Sequence, residues 1–156
     1  MARRIAVRRS PIHGSGVFAV QDLPAGTTLL EYQGRRLSHE EGDLLYGDNH
    51  EGGHTFLFTL NEHWLIDANV SGNAARWINH SCAPNCQALL VESTQPGSEY
   101  DRVYIETLRE VKAGEELAYD YGIDLGVKPT AKLRKIWACR CGATECTGTL
   151  IKSWPK

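Results

Sequence analysis

With 156 residues, 42% of them hydrophobic and 23% charged, the chain has the length and composition of one soluble domain with one core. A formal net charge of −2 excludes a protein that grips nucleic acid through its overall charge. No apolar run approaches the roughly 20 residues of a membrane span, and the basic N-terminus is not followed by an apolar signal core, so an intracellular protein without a membrane partner is expected.

Arg3, Arg4, Arg8 and Arg9 open the chain and read as the solvated edge of an N-terminal strand rather than a nucleic-acid arm. His13-Gly14-Ser15-Gly16 is a glycine-rich turn whose backbone can approach a ligand. A plain β-turn is its default. Phe18 and Ala19 stand where a dinucleotide fingerprint needs its third glycine. A β-prone run over 16–20 follows, then turn chemistry over 22–26 and a strand over 27–32. The spacing predicts two helical turns over 39–46, despite Gly42. Runs 56–60 and 64–67 flank Asn61-Glu62-His63 as a hairpin. One helical turn is predicted over 73–77, an exposed loop over 94–98 and a strand over 103–108. A turn at 112–115 then leads into Leu117 and two tyrosines. A last helix is predicted over 130–137, after Pro129 and with Lys and Arg toward its end. The pattern is a mainly β single domain without repeats.

Five cysteines without a signal segment argue against a disulfide framework. Without secretion, the glycosylation sequons at Asn69 and Asn79 are accidental matches. Cys139, Cys141 and Cys146 crowd together beside Gly142, a spacing suited to tetrahedral thiolate zinc, and Cys82 or Cys86 would supply the fourth ligand. Four thiolates with no open position make a structural metal. The alternative is free thiols packed as small hydrophobes. Asn79-His80-Ser81 suits a catalytic histidine loop, a metal ligand or a capped turn. Tyr119 and Tyr121 share a face if extended, as a core pair or a reactive one.

Taken together, these stretches resemble the SET-domain protein lysine methyltransferases over nearly the whole chain. Residues 10–19 look like the family's opening cofactor motif, and Leu30-Glu31-Tyr32-Gln33-Gly34 like its second strand signature. Residues 72–82, ending in Asn79-His80-Ser81-Cys82, match the central motif. Residues 113–122, with Tyr119-Asp120-Tyr121-Gly122, match the catalytic-tyrosine motif. Cys139-Arg140-Cys141-Gly142 through Leu150 matches the post-SET zinc segment. The opening and the tail are most similar to the mixed-lineage-leukaemia branch.

The resemblance implies a SET-domain β-clip fold with a pseudoknot-like crossing, a SET unit over 1–126 and a zinc-bound post-SET tail over 127–156. It implies S-adenosylmethionine as methyl donor, held by His13, Gly14, Ser15, Gly16, Phe56, Arg76, Asn79 and His80, with Arg140 and Leu150 where the tail closes over it. It implies catalytic roles for Tyr121, Tyr119 and Tyr32, with Tyr119 setting the product. It assigns structural zinc to Cys82, Cys139, Cys141 and Cys146, leaving Cys86 over. The implied partner is a lysine-containing protein or peptide, with histones an extrapolation from relatives, and the expected products are mainly mono- and dimethyllysine. The rival reading is a catalytically silent SET-fold zinc module that serves only interaction.

Overall fold

The computed structural model describes residues 4–12, 14–46, 57–121, 130–136, 139, 144, 146 and 149. Along the chain these form β1 (Ile5–Arg9), β2 (Ser15–Ala19), β3 (Thr28–Glu31), β4 (Arg35–Ser38), α1 (His39–Tyr46), β5 (Leu57–Thr59), β6 (Trp64–Asp67), a 3₁₀ turn (Ala74–Trp77), β7 (Asn79–His80), β8 (Cys86–Val91), β9 (Arg102–Thr107), β10 (Glu116–Tyr119) and α2 (Ala131–Ile136). The strands make three small sheets, ordered β1-β2-β10-β7, β3-β9-β8 and β4-β6-β5. This is the mainly β, multi-sheet SET-like architecture expected from the motifs. The hairpin of β5 and β6 and the helix over 39–46 also stand where the sequence places them.

Four strands, β4, β7, β8 and β10, are not placed from the sequence, and β4 and β8 escape its pattern for physical reasons. β4 carries Arg35 and Arg36, poor strand markers by polarity. Arg35 Nε meets the fully buried Asp67 carboxylate at 2.9 Å, and Arg36 donates to the carbonyls of Gly34, Glu99 and Asp101. Buried partners, not apolar alternation, fix that strand. β8 is a continuous run with both faces partly covered, so period-two alternation has nothing to report. The turn into α1 is a reciprocal capping box: Glu41 N–H donates to Ser38 Oγ and Ser38 N–H to Glu41 Oε1, both at 3.1 Å.

β10 lies at the centre of the fold. Leu117 pairs with Val17 across β2 and β10, and both are fully buried with Ile66, Ile105 and Val111. On its other edge β10 runs parallel to β7, with Ala118 opposite Asn79 and Tyr119 opposite His80. The chain then turns across β10. Ser81 N–H donates to Tyr119 O and Asn85 N–H to Ala118 O, each at 3.2 Å. The Asn85 side chain completes the pairing: its amide donates to Glu116 O and accepts from Ala118 N–H, both at 2.9 Å. Segment 79–85 thereby clasps β10, which is the expected crossing. Among the described residues no buried side-chain nitrogen or oxygen lacks a hydrogen-bond partner.

A second buried acid stabilises the outer loops. Asp101, fully buried, accepts from Ser93 N–H and Gly97 N–H at 2.9 Å and from Asn61 Nδ2 at 3.1 Å. The Ser93 bond is the main cause holding its carboxyl below the ordinary value, against the opposing effect of burial. A depressed carboxyl stabilises the fold above its unfolded pKa of about 3.9, and that contribution disappears as pH falls through the lower folded value. Asp101→Asn should therefore melt below the parent at neutral pH. The gap should narrow as the pH drops below about 3.9, as thermal melts across pH would show.

Candidate active site and metal centre

Three tyrosines from distant segments converge. Tyr32 follows β3, Tyr119 ends β10 and Tyr121 lies just beyond it. Phe58 of β5 links them, its ring 4.8 Å from that of Tyr32 and 6.3 Å from that of Tyr119. The rings of Tyr119 and Tyr121 stand 4.9 Å apart. Burial is the first cause raising the pKa of all three phenols. For Tyr32 the charge of Arg76 partly offsets that rise and Asp67 adds to it. The phenols therefore stay protonated, and the three rings form an aromatic, uncharged wall. The Tyr121 hydroxyl donates to the Ile78 carbonyl oxygen, which directs its oxygen lone pairs away from that carbonyl.

Beside this wall, the turn before β2 meets β7. Ser10 N–H donates to Gly14 O at 2.7 Å, closing a turn in which Gly14 takes φ +46°. The left-handed conformation explains the glycine. Asn79 reaches across from β7, donating from Nδ2 to Ser15 O at 3.0 Å and to Glu116 Oε2 at 2.7 Å. The predicted cofactor positions Gly14, Ser15, Gly16 and Asn79 thus come together. Arg76 sits on the 3₁₀ turn, donating to Ala68 O at 3.1 Å with its guanidinium 4.6 Å over the Trp77 ring. His13, Phe56, Arg140, Leu150 and Cys141 lie outside the described residues.

His80 connects this region to the thiols. Its Nδ1 accepts the Tyr121 backbone N–H at 2.9 Å, and its ring stands edge-on to Tyr121 at 5.3 Å. Nε2 lies 3.4 Å from Cys82 Sγ. Burial, partly offset by the charge of Asp120, lowers the imidazole pKa. A neutral ring whose Nδ1 accepts carries its hydrogen on Nε2, so His80 faces Cys82 as a donor. Any contact it makes to a cofactor falls to its backbone or ring face.

His80, Cys82 and Cys139 form a cluster whose ligand atoms all lie within 4.8 Å of one another. The two sulfurs are 3.8 Å apart. Two thiolates bound tetrahedrally at about 2.3 Å from one zinc stand about 3.8 Å from each other, so the pair fits a structural zinc-like ion. With its proton toward sulfur, His80 would serve as a hydrogen-bond donor to a ligand thiolate, a common partner of metal sites. Cys146 is half-buried, and Cys86 is 1% exposed. Burial pushes the Cys86 thiol up to about 11, as for a thiol packed in apolar surroundings.

The residues that sequence reasoning did not single out are Ser10, Asn85 and Glu116. Each bonds a partner far away in the chain.

A family profile described as "SET domain" matches residues 14–122. Over 145 residues the chain is 36% identical to the human "Histone-lysine N-methyltransferase 2D", covering 91% of this chain and 2% of that protein. It is 33% identical over 144 residues to the Chaetomium globosum "Histone-lysine N-methyltransferase, H3 lysine-4 specific", covering 91% of this chain and 13% of the other. It is 34% identical over 148 residues to the mouse "Histone-lysine N-methyltransferase EHMT1", covering 92% of this chain and 11% of that protein. The chain therefore spans a small part of the length of these relatives.

Proposed function

The chain belongs to the SET-domain family, and on that footing we propose that it is a protein-lysine N-methyltransferase that uses S-adenosylmethionine. The observation that carries this reading is the buried, uncharged tyrosine cluster, with Tyr121 anchored to Ile78, set directly beside Asn79 and the Ser10–Gly14 turn. When bound, the cofactor supplies a methyl carbon on a sulfonium, open to direct displacement by an amine. Gly14, Ser15, Gly16 and Asn79 would hold it, with His13, Phe56, Arg76, His80, Arg140 and Leu150 as further contacts. The substrate is a lysine side chain of a protein or peptide, with histone lysines the class its relatives' names point to.

The lysine must arrive neutral. Its ordinary pKa is about 10.4, so deprotonation at pH 8 costs about 3.3 kcal/mol. An aromatic wall whose phenols stay protonated supplies no phenolate to favour the ammonium form, and burial there disfavours that form further. The Tyr121 hydroxyl, its hydrogen committed to Ile78 O, presents lone pairs to an amine N–H. That contact orients the nitrogen lone pair along the line of attack, and alignment supplies much of the acceleration. The water-excluding wall suits a reaction that disperses positive charge. Cys82, Cys139, Cys141 and Cys146 would hold a structural zinc that fastens residues 127–156 to the SET unit of residues 1–126.

Incubation with methyl-labelled S-adenosylmethionine and mixed lysine-containing proteins tests the reading, with methyllysine identified by mass spectrometry. Cofactor binding without any label transfer would favour the silent interaction module instead.

Tyr119 bears on how many methyl groups are added. It is 7% exposed and in contact with both Phe58 and Tyr121. A hydroxyl there fills the space in which a methylated amine must turn for a further transfer. Mono- and dimethyllysine are the expected products. Tyr119→Phe should shift them toward di- and trimethyllysine with little change in cofactor affinity, as intact-mass time courses would show. Predominant trimethylation by the parent would exclude this role.

A further inference from the structure

Asn79 is placed by a carboxylate that none of the motifs assigns. Its Nδ2 commits one hydrogen to Ser15 O and the other to Glu116 Oε2, at 3.0 and 2.7 Å. A carbonyl and a carboxylate can only accept, so the amide has one orientation open to it: the nitrogen toward Glu116 and Ser15, the oxygen away from them. Glu116 is held in turn. Ser10 Oγ lies 2.7 and 2.8 Å from its two oxygens and accepts Ile12 N–H at 3.0 Å. The Ser10 N–H closes the turn onto Gly14 O. One carboxylate therefore joins the turn, β7 and β10.

Gly16 belongs to the same arrangement. A Cβ at that position would stand 2.3 Å from Glu116 Oε2 and 2.9 Å from Ser10 Cβ. Here a glycine is needed for the space that the carboxylate fills, not for backbone conformation.

We propose that Glu116 is a positioning residue that locks the Asn79 amide so that its oxygen accepts from a donor on the cofactor's amino-acid end, setting the protein's preference for ligands that carry that end. The inference rests on the reading of this site as an S-adenosylmethionine site. The donor best suited to an oriented amide oxygen is an ammonium group, and a hydrogen bond to a charged partner is worth roughly ten- to a hundredfold in affinity.

The test compares two neutral thioethers by calorimetry on the full chain. S-adenosylhomocysteine carries the amino-acid end, and 5′-methylthioadenosine lacks it. Parent protein should prefer the first. In Glu116→Leu that preference should fall about ten- to a hundredfold while 5′-methylthioadenosine binds nearly as before. Glu116→Gln, which keeps an acceptor facing Asn79, should retain most of the preference. Gly16→Ala leaves the carboxylate in the chain but displaces it, and should lose the preference as Glu116→Leu does. This variant carries the test should Glu116→Leu not fold. A merely structural role would weaken both ligands together, in step with the melting temperature, and would overturn the proposal. So would an unchanged preference in both Glu116→Leu and Gly16→Ala. Parent protein that binds neither thioether would overturn the cofactor reading, and this inference with it.

Discussion

Tyr121→Phe is expected to cut turnover about a hundred- to a thousandfold, the usual loss on removing one positioned polar group from a dry site. The substitution removes a single oxygen. The ring contacts with Tyr119 and His80 remain, and the backbone N–H that holds His80 Nδ1 is untouched. The fold loses the bond to Ile78 O, worth about 0.5–1.5 kcal/mol, so the variant should melt slightly earlier and still bind cofactor and zinc. Turnover close to that of the parent, in a folded variant, would remove Tyr121 from the reaction. Single-turnover measurement separates this from slow product release, since only the chemical step should change.

Cys82→Ser should empty the metal site, and Cys86→Ser should not. Cys82 sits beside Cys139, 57 residues further along the chain, so an ion held there would close a long loop and link the centre of the fold to its C-terminal tail. Structural zinc sites contribute apparent binding energies of about 10–16 kcal/mol in small metal-folded peptides. Losing a ligand here should therefore show as metal below one equivalent per chain and as a lowered melting temperature. Cys86 is buried in β8 with its thiol pushed up to about 11, and serine there should cost packing alone. Metal lost with Cys86 and kept without Cys82, by elemental analysis, would reverse the assignment.

The distance at which each feature is encoded explains what the sequence revealed. Asn79-His80-Ser81-Cys82 and the two tyrosines are contiguous strings, so their chemistry is written locally and both stretches were recognisable. α1 was readable because Ser38 and Glu41 cap it within one turn. Glu116 and Asn85 were not, because their roles depend on partners 106 residues away in one case and 31 in the other. β4 was obscured by two arginines whose counter-charge and main acceptors arrive from distant segments of the chain. The role of His80 was ambiguous for the same reason. Only the Tyr121 N–H on Nδ1 decides which nitrogen carries the proton.

The central place of β10 also sets an order in time. β2 lies near the start of the chain, and its partner Leu117 follows Val17 by about a hundred residues. At about 5–20 residues per second of synthesis, β2 waits roughly 5–20 s for that partner to appear. Until then β7 has no parallel neighbour and Asn79 no carboxylate. Contacts this distant in sequence make closure slow once the chain is complete. Refolding should accordingly yield an early state with the β8–β9 and β5–β6 hairpins formed and no affinity for an adenosyl ligand. Binding should return only with the slowest phase, so the ligand itself can serve as the probe for the moment the chain crosses β10.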